Sequence, residues 1–252
     1  MKSKKIAFSN GNQARMVLPP SGAKATHILQ ALRIERPEAL IIIFGAAAGF
    51  DETMKPRVET LFARGIARAA IQMSAMIMDG GTEAGVMAVM GQAVAAQGRK
   101  SILLGVAPAG KVTYPRGPEK GSIEDSAPLD PNHSHFVLVE GDEWGDETET
   151  LYRLAEELVR GTPVLTILAD GGRVARKEVL LTIRRDWPLI VIEGTGRLAN
   201  QIAATIRGGT THSDQGIGSI VRGGRIELFH IDEGPDALTN LIVRELSREV
   251  RD

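Results

Sequence analysis

Glycine turns that close apolar segments are where this sequence could do chemistry. The stretch Ala75–Ala107, AMIMDGGTEAGVMAVMGQAVAAQGRKSILLGVA, reads as strand (Met76–Met78), turn (Asp79, Gly80, Gly81), helix (Thr82 to Gln97) and strand (Ser101–Ala107). Gly80, Gly81 and Gly85 allow positive φ and close backbone approach, and the first free N–H groups of the helix present the positive end of its dipole, which suits a phosphate. Such a turn either holds an anion or serves packing alone. Similar turns recur at Gly45–Asp51, Asp170–Arg173 and Gly194–Arg197. Thr82 and Thr195 are neutral donors beside them. Arg173, Arg176 and Arg197 follow glycine turns, where a guanidinium can fork onto a phosphate or lie on a solvated helix face. Asp79, Asp170 and Glu193 precede the glycines; each can accept from ribose hydroxyls or from its own turn amides. Glu178 is either an acid/base or electrophile-stabilising group or an ordinary surface glutamate. His133 and His135, in NHSHF, lack a third ligand for a metal site, so hydrogen bonding of the preceding loop or contact with a ligand fits them better.

The elements that must position these turns follow from apolar patterning. Ile6–Phe8 and Met16–Leu18 read as edge strands about Asn10–Asn12, and Ser21 is placed to cap a helix Ala23–Arg33. The run Ala39–Phe50 is apolar on both sides, as a covered parallel strand requires, and Asp51 or Thr53 would cap a long helix through Met73. Pro108–Pro131, rich in Pro and Gly, reads as a long surface loop of the kind used as a lid or binding loop. Strand His135–Glu140, helix Glu147–Arg160, strand Pro163–Ala169, helix Val174–Arg185, strand Pro188–Ile192 and helix Arg197–Arg207 follow. A turn-rich stretch, Gly208–Gly224, leads to strand Arg225–Ile231 and helix Pro235–Val250. Five apolar strands run into helices, four of them through glycine turns, which predicts right-handed crossovers and a parallel sheet with helices on both faces. In such a sheet the strand C-termini share one edge, so distant turns converge on one crevice.

Composition narrows the function classes. The chain has 252 residues, 43% of them hydrophobic, enough for one α/β domain over 1–252. A formal charge of −1 with interspersed signs argues against nucleic acid as a partner. The absence of cysteine excludes disulfides, thiolate metal sites and a cysteine nucleophile. No apolar run resembles a signal peptide or a membrane span, so a cytoplasmic protein without membrane contact is expected. G-x-S-x-G, HExxH and Walker A patterns do not occur. Apolar residues expected to be exposed on the Met-rich helix Thr82–Gln97 lead to the expectation of a homo-oligomer.

The motifs GAAAGFD, DGGTEAGVM, GVAP, NHSHFVLVEGD, LADGG and EGTGRLA occur in the order found in the SLOG superfamily, and most resemble its prokaryotic LSDAT branch, related to the cytosolic N-terminal region of melastatin-type TRP channels. The resemblance covers Ala39 to Ala204. It implies a Rossmann-like three-layer αβα sandwich with a mostly parallel central sheet that binds a nucleotide-derived ligand, ADP-ribose and its relatives foremost, with no required cofactor and no metal. By position, the phosphate turn corresponds to Gly80–Met87, with Gly80, Gly81, Thr82, Glu83, Gly85, Val86 and Met87 as ligand contacts. Further contacts correspond to Gly45, Ala46, Gly49, Phe50 and Asp51, to Gly171, Gly172 and Arg173, and to Gly194, Thr195, Gly196 and Arg197; Arg176, Pro108 and His133 join them. More distantly the chain resembles LOG-type phosphoribohydrolases, whose second motif is similar to DGGRVARKE and places Glu178 at a glutamate position. The chain departs from that motif at Asp170, Val174 and Ala175 and lacks a counterpart of its Arg-Lys pair. Hydrolysis of a nucleotide N-glycosidic bond by Glu178 is therefore the alternative to binding or sensing.

Overall fold

In the computed structural model, which describes residues 1–46, 50, 53–118, 123–208 and 215–248, the chain opens with an antiparallel hairpin. Strands β1 (Lys4–Ala7) and β2 (Gln13–Val17) join through a turn at Gly11, where φ is +84°. Helix α1 (Ala25–Leu32) starts after Lys24 with no side-chain cap. Ser21 does not cap it, because a Pro20–Ala23 backbone turn intervenes. Strand β3 (Ala39–Gly45) leads to α2 (Lys55–Leu61), a π-helical turn at Phe62–Ile66 and α3 (Ala67–Gln72), in place of the one long helix expected. The Thr239 hydroxyl lies 3.1 Å from the Arg64 and Gly65 carbonyls, offering them a partner outside the α-helical ladder. Met54, not Thr53, is the N-cap; Asp51 lies outside the described residues.

Strand β4 (Ala75–Asp79), helix α4 (Gly85–Ala96) and strand β5 (Leu103–Pro108) form the expected unit. Two short strands, β6 (Val112–Thr113) and β7 (Ala127–Pro128), precede β8 (His135–Val139). Then come α5 (Thr148–Leu158), β9 (Val164–Ala169), α6 (Arg173–Arg184), β10 (Leu189–Glu193) and α7 (Arg197–Ile206). Part of the expected turn-rich stretch is helix α8 (Gln215–Gly223), whose Ile217 and Ile220 share one buried face; that spacing outweighs its glycines. Strand β11 (Ile226–His230) and α9 (Pro235–Arg248) complete the chain.

Among the described residues the main sheet has nine strands in the order β1-β2-β8-β5-β4-β3-β9-β10-β11, parallel except for the first pair. The expected Rossmann-like α/β architecture is present. Successive residues of β3 serve opposite cores, as the strand repeat demands. Leu40, Ile42 and Phe44 pack with α1, α5, α6, α7 and α8, while Ala39, Ile41 and Ile43 pack with α2, α3, α4 and α9. The apolar residues expected to be exposed on α4 are instead largely buried: Val86, Val89, Met90, Ala93 and Val94 face the core. That helix presents no broad apolar face for self-association. No described helix is long and apolar enough to cross a membrane.

The proline-rich segment covers the core at its two ends, while Pro115, Arg116, Glu124 and Asp125 between them lie at the surface and residues 119–122 are outside the described residues. Val112 and Leu129 pack with Met16, Ala107, Phe136 and Leu138 over the β2–β8–β5 end of the sheet. Its end is tied to the glycine turn by a Thr82–Leu129 bridge, by Glu83 N–H donating to the Pro128 carbonyl (2.8 Å) and by Asp130 N–H donating to that of Gly81 (2.9 Å). This bridge delays the start of α4 to Gly85. Gly81 itself has φ +70° and sits so close to Gly105 that a Cβ would lie 2.7 Å from the Gly105 Cα. Beneath the bridge His133 is fully buried, with Nε2 2.7 Å from Asp79 Oδ1 and Nδ1 2.7 Å from Asp130 Oδ2. Burial pushes the imidazole down, but the Asp79 charge, hydrogen bonds to both carboxylates and the Asp130 charge overcome it and hold the ring up at about 9.

A histidine raised from 6.5 to about 9 on folding stabilises fully below about 6.5, and that contribution is lost as pH rises through about 9. Thermal unfolding of the wild type should therefore weaken between those values, and His133→Gln should flatten this window. His133→Ala, which leaves two buried carboxylates without their cation, is expected to destabilise by about 3–5 kcal/mol in denaturant titration.

Candidate functional site

Strand order decides where the turns meet. From β3 the chain moves outward through β4 and β5, whereas from β9, the neighbour on the other side of β3, it moves through β10 to β11. The C-terminal edge at this reversal is where open α/β sheets leave a crevice. A cavity of about 300 Å³ lies there, floored by Ile43, Phe44, Gly45 and Ala46 at the end of β3. Gly80 and Thr82 line it from the turn after β4, Met87 from the first turn of α4, and Gly172, Arg173, Val174, Ala175 and Glu178 from the start of α6. Arg197, first residue of α7, and Trp144 and Glu147, just before α5, complete the wall. Gly45 keeps the floor low, because a Cβ there would collide with the Ala169 carbonyl oxygen and the Val86 side chain.

Polarity is divided across this hollow. Helices α6 and α7 both start on glycines, Gly172 and Gly196, without side-chain caps. The start of α6 favours an anion, whereas at α7 the Leu198 and Ala199 N–H groups already donate to the Gly171 and Asp170 carbonyls; Arg173 and Arg197 stand at the two starts. Arg197 is held by Asp170, with Nε 2.9 Å from Oδ1 and Nη2 2.7 Å from Oδ2, yet half of its side chain remains exposed. Asp170 adopts φ +61°, its N–H donates to the Thr195 hydroxyl (2.8 Å), and that hydroxyl donates to the Ile192 carbonyl (2.6 Å).

The other side of the cavity carries two carboxyls. Glu178 is placed three and four residues after Ala175 and Val174, on the helical face that lines the cavity. Its backbone carbonyl accepts a 2.6 Å hydrogen bond from Tyr152 on α5. Glu178 is 8% exposed, and among the described residues no hydrogen bond reaches its carboxyl. Burial and the Glu147 charge push it up to about 8, with Lys177 opposing and Asp79 adding to the rise. Burial also raises Glu147, whose Oε2 accepts from the Gly145 N–H at 2.8 Å. Lys177 donates to the Gly145 carbonyl (2.9 Å).

Several expected contacts thus meet: Gly45, Ala46, Gly80, Thr82, Met87, Gly172, Arg173, Glu178 and Arg197 line one cavity. Gly49 and Asp51 lie outside the described residues. Phe50 packs against the core on the α4 side. Gly81, Glu83, Gly85, Val86, Pro108, Gly171, Arg176, Gly194, Thr195 and Gly196 are absent from the lining. The amides of Gly81, Glu83 and Val86 are engaged by Asp79, Pro128 and Ala46. His133 lies beneath the glycine turn in its two-carboxylate clasp. His135 turns elsewhere, with Nδ1 2.9 Å from the Ser134 hydroxyl, and burial together with the Arg15 charge lowers it to about 4. Asp79 makes the turn-amide bond to Gly81 (2.7 Å), and Glu193 pairs with Arg207 (2.6 Å). Trp144 and Glu147 carried no motif that sequence reading could use. Their one signal was a position just beyond an apolar strand, where an acidic turn reaches the same edge.

A carboxyl raised from 4.5 to about 8 favours the folded state fully below about 4.5 and loses that contribution as pH climbs through about 8. Denaturant unfolding of Glu178→Gln across that range should lack this part of the decline, and the variant should be more stable than wild type above it, by a few kcal/mol.

Comparison with known proteins gives a family match over most of the chain. The family described as "SLOG in TRPM, prokaryote" matches residues 38–240. A transient receptor potential cation channel subfamily M member-like 2 from Nematostella vectensis is 30% identical over 234 residues, covering 78% of this chain and 14% of the channel. Subfamily M member 2 from Mus musculus is 27% identical over 217 residues, 73% of this chain and 14% of that protein. Subfamily M member 7 from Homo sapiens is 27% identical over 234 residues, 79% of this chain and 12% of that protein. The chain therefore spans only a small part of the length of these relatives. The match over residues 38–240, with the sheet edge and cavity built from that same segment, means that the chain belongs to the SLOG family in its prokaryotic, TRPM-related form.

Proposed function

We propose that this chain is a binding or sensing module for a small nucleotide-derived ligand, of the ADP-ribose and NAD-metabolite class, acting in the cytoplasm. The observation that carries the reading is the convergence of the turns after β3, β4 and β9 with two helix-start arginines on one cavity of about 300 Å³. That volume is at the small end of ligand sites. An anionic group fits beside Arg173, Arg197 and the uncapped start of α6, where charge-assisted bonds and the helix dipole act together. Apolar walls from Ile43, Phe44, Met87 and Val174 suit a base or the flat face of a sugar. Relatives that are named cation channels, and of which this chain spans 12–14%, support a sensing role for the shared portion. Self-association would be a separate property, and the proposed cavity does not require it.

A second reading has one observation in its favour. Glu178 is a cavity-lining carboxyl raised to about 8, as a general acid would need, with Glu147 as a second carboxyl on the same wall. Cleavage of a nucleotide N-glycosidic bond would use Glu178 to protonate the leaving base while water attacks the sugar carbon.

Calorimetry should detect binding of ADP-ribose, cyclic ADP-ribose, NAD or AMP, and Arg173→Ala or Arg197→Ala should weaken it about tenfold, the effect of one charge-assisted hydrogen bond. Silence from all four at millimolar concentration would remove the binding reading. Chromatography of incubated nucleotides separates the alternative: a free base that disappears with Glu178→Ala supports hydrolysis, and unchanged nucleotide rules it out.

A further inference from the structure

The feature left unused by anion binding is the pair of carboxyls opposite the arginines. Glu178 and Glu147 are 8% and 7% exposed, and both line the cavity. They differ in how they are held. Glu147 is fixed by the Gly145 N–H, whereas the Glu178 carboxyl has no hydrogen-bond partner among the described residues although its backbone is anchored by Tyr152. A nine-tenths buried polar group facing a cavity with no partner is costly unless a ligand or water meets it.

The titratable groups around Glu178 come from several elements. From the turn before α5 there is Glu147; from α5, the Tyr152 hydroxyl; from α6 itself, Arg173 and Lys177; from the end of β4, Asp79; from α7, Arg197. The cations are committed or remote in role: Lys177 donates to the Gly145 carbonyl, and Arg197 is forked onto Asp170. Asp79 lies farther off and is paired with His133, although its Oδ2 has no hydrogen bond of its own. Ionising Glu178 would place a charge in a buried, largely apolar wall beside the Glu147 carboxyl, so its proton is retained at neutral pH.

Resting on the reading of the cavity as a nucleotide-ligand site, we propose that Glu178, seated beside Glu147, is its specificity-determining donor: it gives a hydrogen bond to an uncharged acceptor of the ligand, a hydroxyl or carbonyl oxygen, which makes binding proton-linked. The arginine side then takes the anion and the Glu178 side rejects a second anion at this position. Above the midpoint of Glu178 the donor is gone and a negative charge replaces it, so affinity falls with rising pH.

ADP-ribose is the probe, because its diphosphate does not titrate between pH 6 and 10, and Trp144 in the cavity wall supplies a fluorescence readout alongside calorimetry. Wild-type affinity should be level below about pH 7.5 and then fall about tenfold per pH unit above the Glu178 midpoint. Glu178→Gln, which keeps a donor and cannot ionise, should remove that slope; Glu178→Leu should bind about tenfold more weakly than wild type at pH 7 and should also show no slope. His133 also titrates near about 9, so the decisive quantity is the ratio of affinities at pH 7 and 9.5 in Glu178→Gln against wild type. ADP-ribose that binds with a flat or rising pH profile, or a slope unchanged in Glu178→Gln, overturns the donor assignment and leaves the cavity reading standing. Absence of binding by ADP-ribose, NAD and AMP at every pH overturns the cavity reading, and the donor assignment with it.

Discussion

The parallel pairing of β3 with β4 on one side and β9 on the other is the constraint from which the rest of the molecule follows. Because all three strands point the same way, their C-terminal turns open on one edge. Because the chain leaves β3 and β9 in opposite directions across the sheet, no described helix crosses the gap between those turns. The cost is a strand buried on both faces, met by the unbroken apolar run from Ala39 to Phe44. Gly45 then sets how closely the turn can approach the neighbouring strand.

Around that edge the carboxylates fall into two groups, and the division explains the character of the cavity. Asp79, Asp170 and Glu193, the residues that end their strands, are spent internally on His133 and a turn amide, on Arg197, and on Arg207. They hold turns and neighbouring side chains in place. Glu147 and Glu178 sit slightly deeper in the following elements, face the hollow, and are both pushed toward the neutral acid by burial. A hollow with cations at helix starts on one side and carboxyls pushed toward their neutral form on the other can receive an anion with little self-repulsion. The buried imidazole between Asp79 and Asp130 belongs to the first group: it joins the cover segment to the glycine turn and so fixes the rim near Thr82.

The cover segment shows how composition can mislead. Its prolines and glycines make helix and extended strand unfavourable, yet Val112 and Leu129 within it find a place on the sheet end that no described helix covers. A polar, turn-rich sequence with two well-spaced apolar residues can therefore serve as core. The same logic turns the expected turn-rich stretch near the C-terminus into a helix at Ile217 and Ile220.

By itself the sequence determined the α/β class, the parallel strands that form most of the sheet, the glycine turns that follow β3, β4, β9 and β10, and their shared edge, because apolar period and backbone permissiveness are local properties. It determined too that Glu178, Arg173 and Arg197 stand next to those turns. Only the tertiary structure decided that Arg197 is tied to Asp170, that His133 is a clasp instead of a lining residue, and that Trp144 and Glu147 belong to the wall. It also decided that the proton on Glu178 is held by burial and by its neighbours. Those outcomes depend on which long-range partner reaches a side chain first and on how much water is left around it, and neither quantity is written in the spacing of residues along one chain.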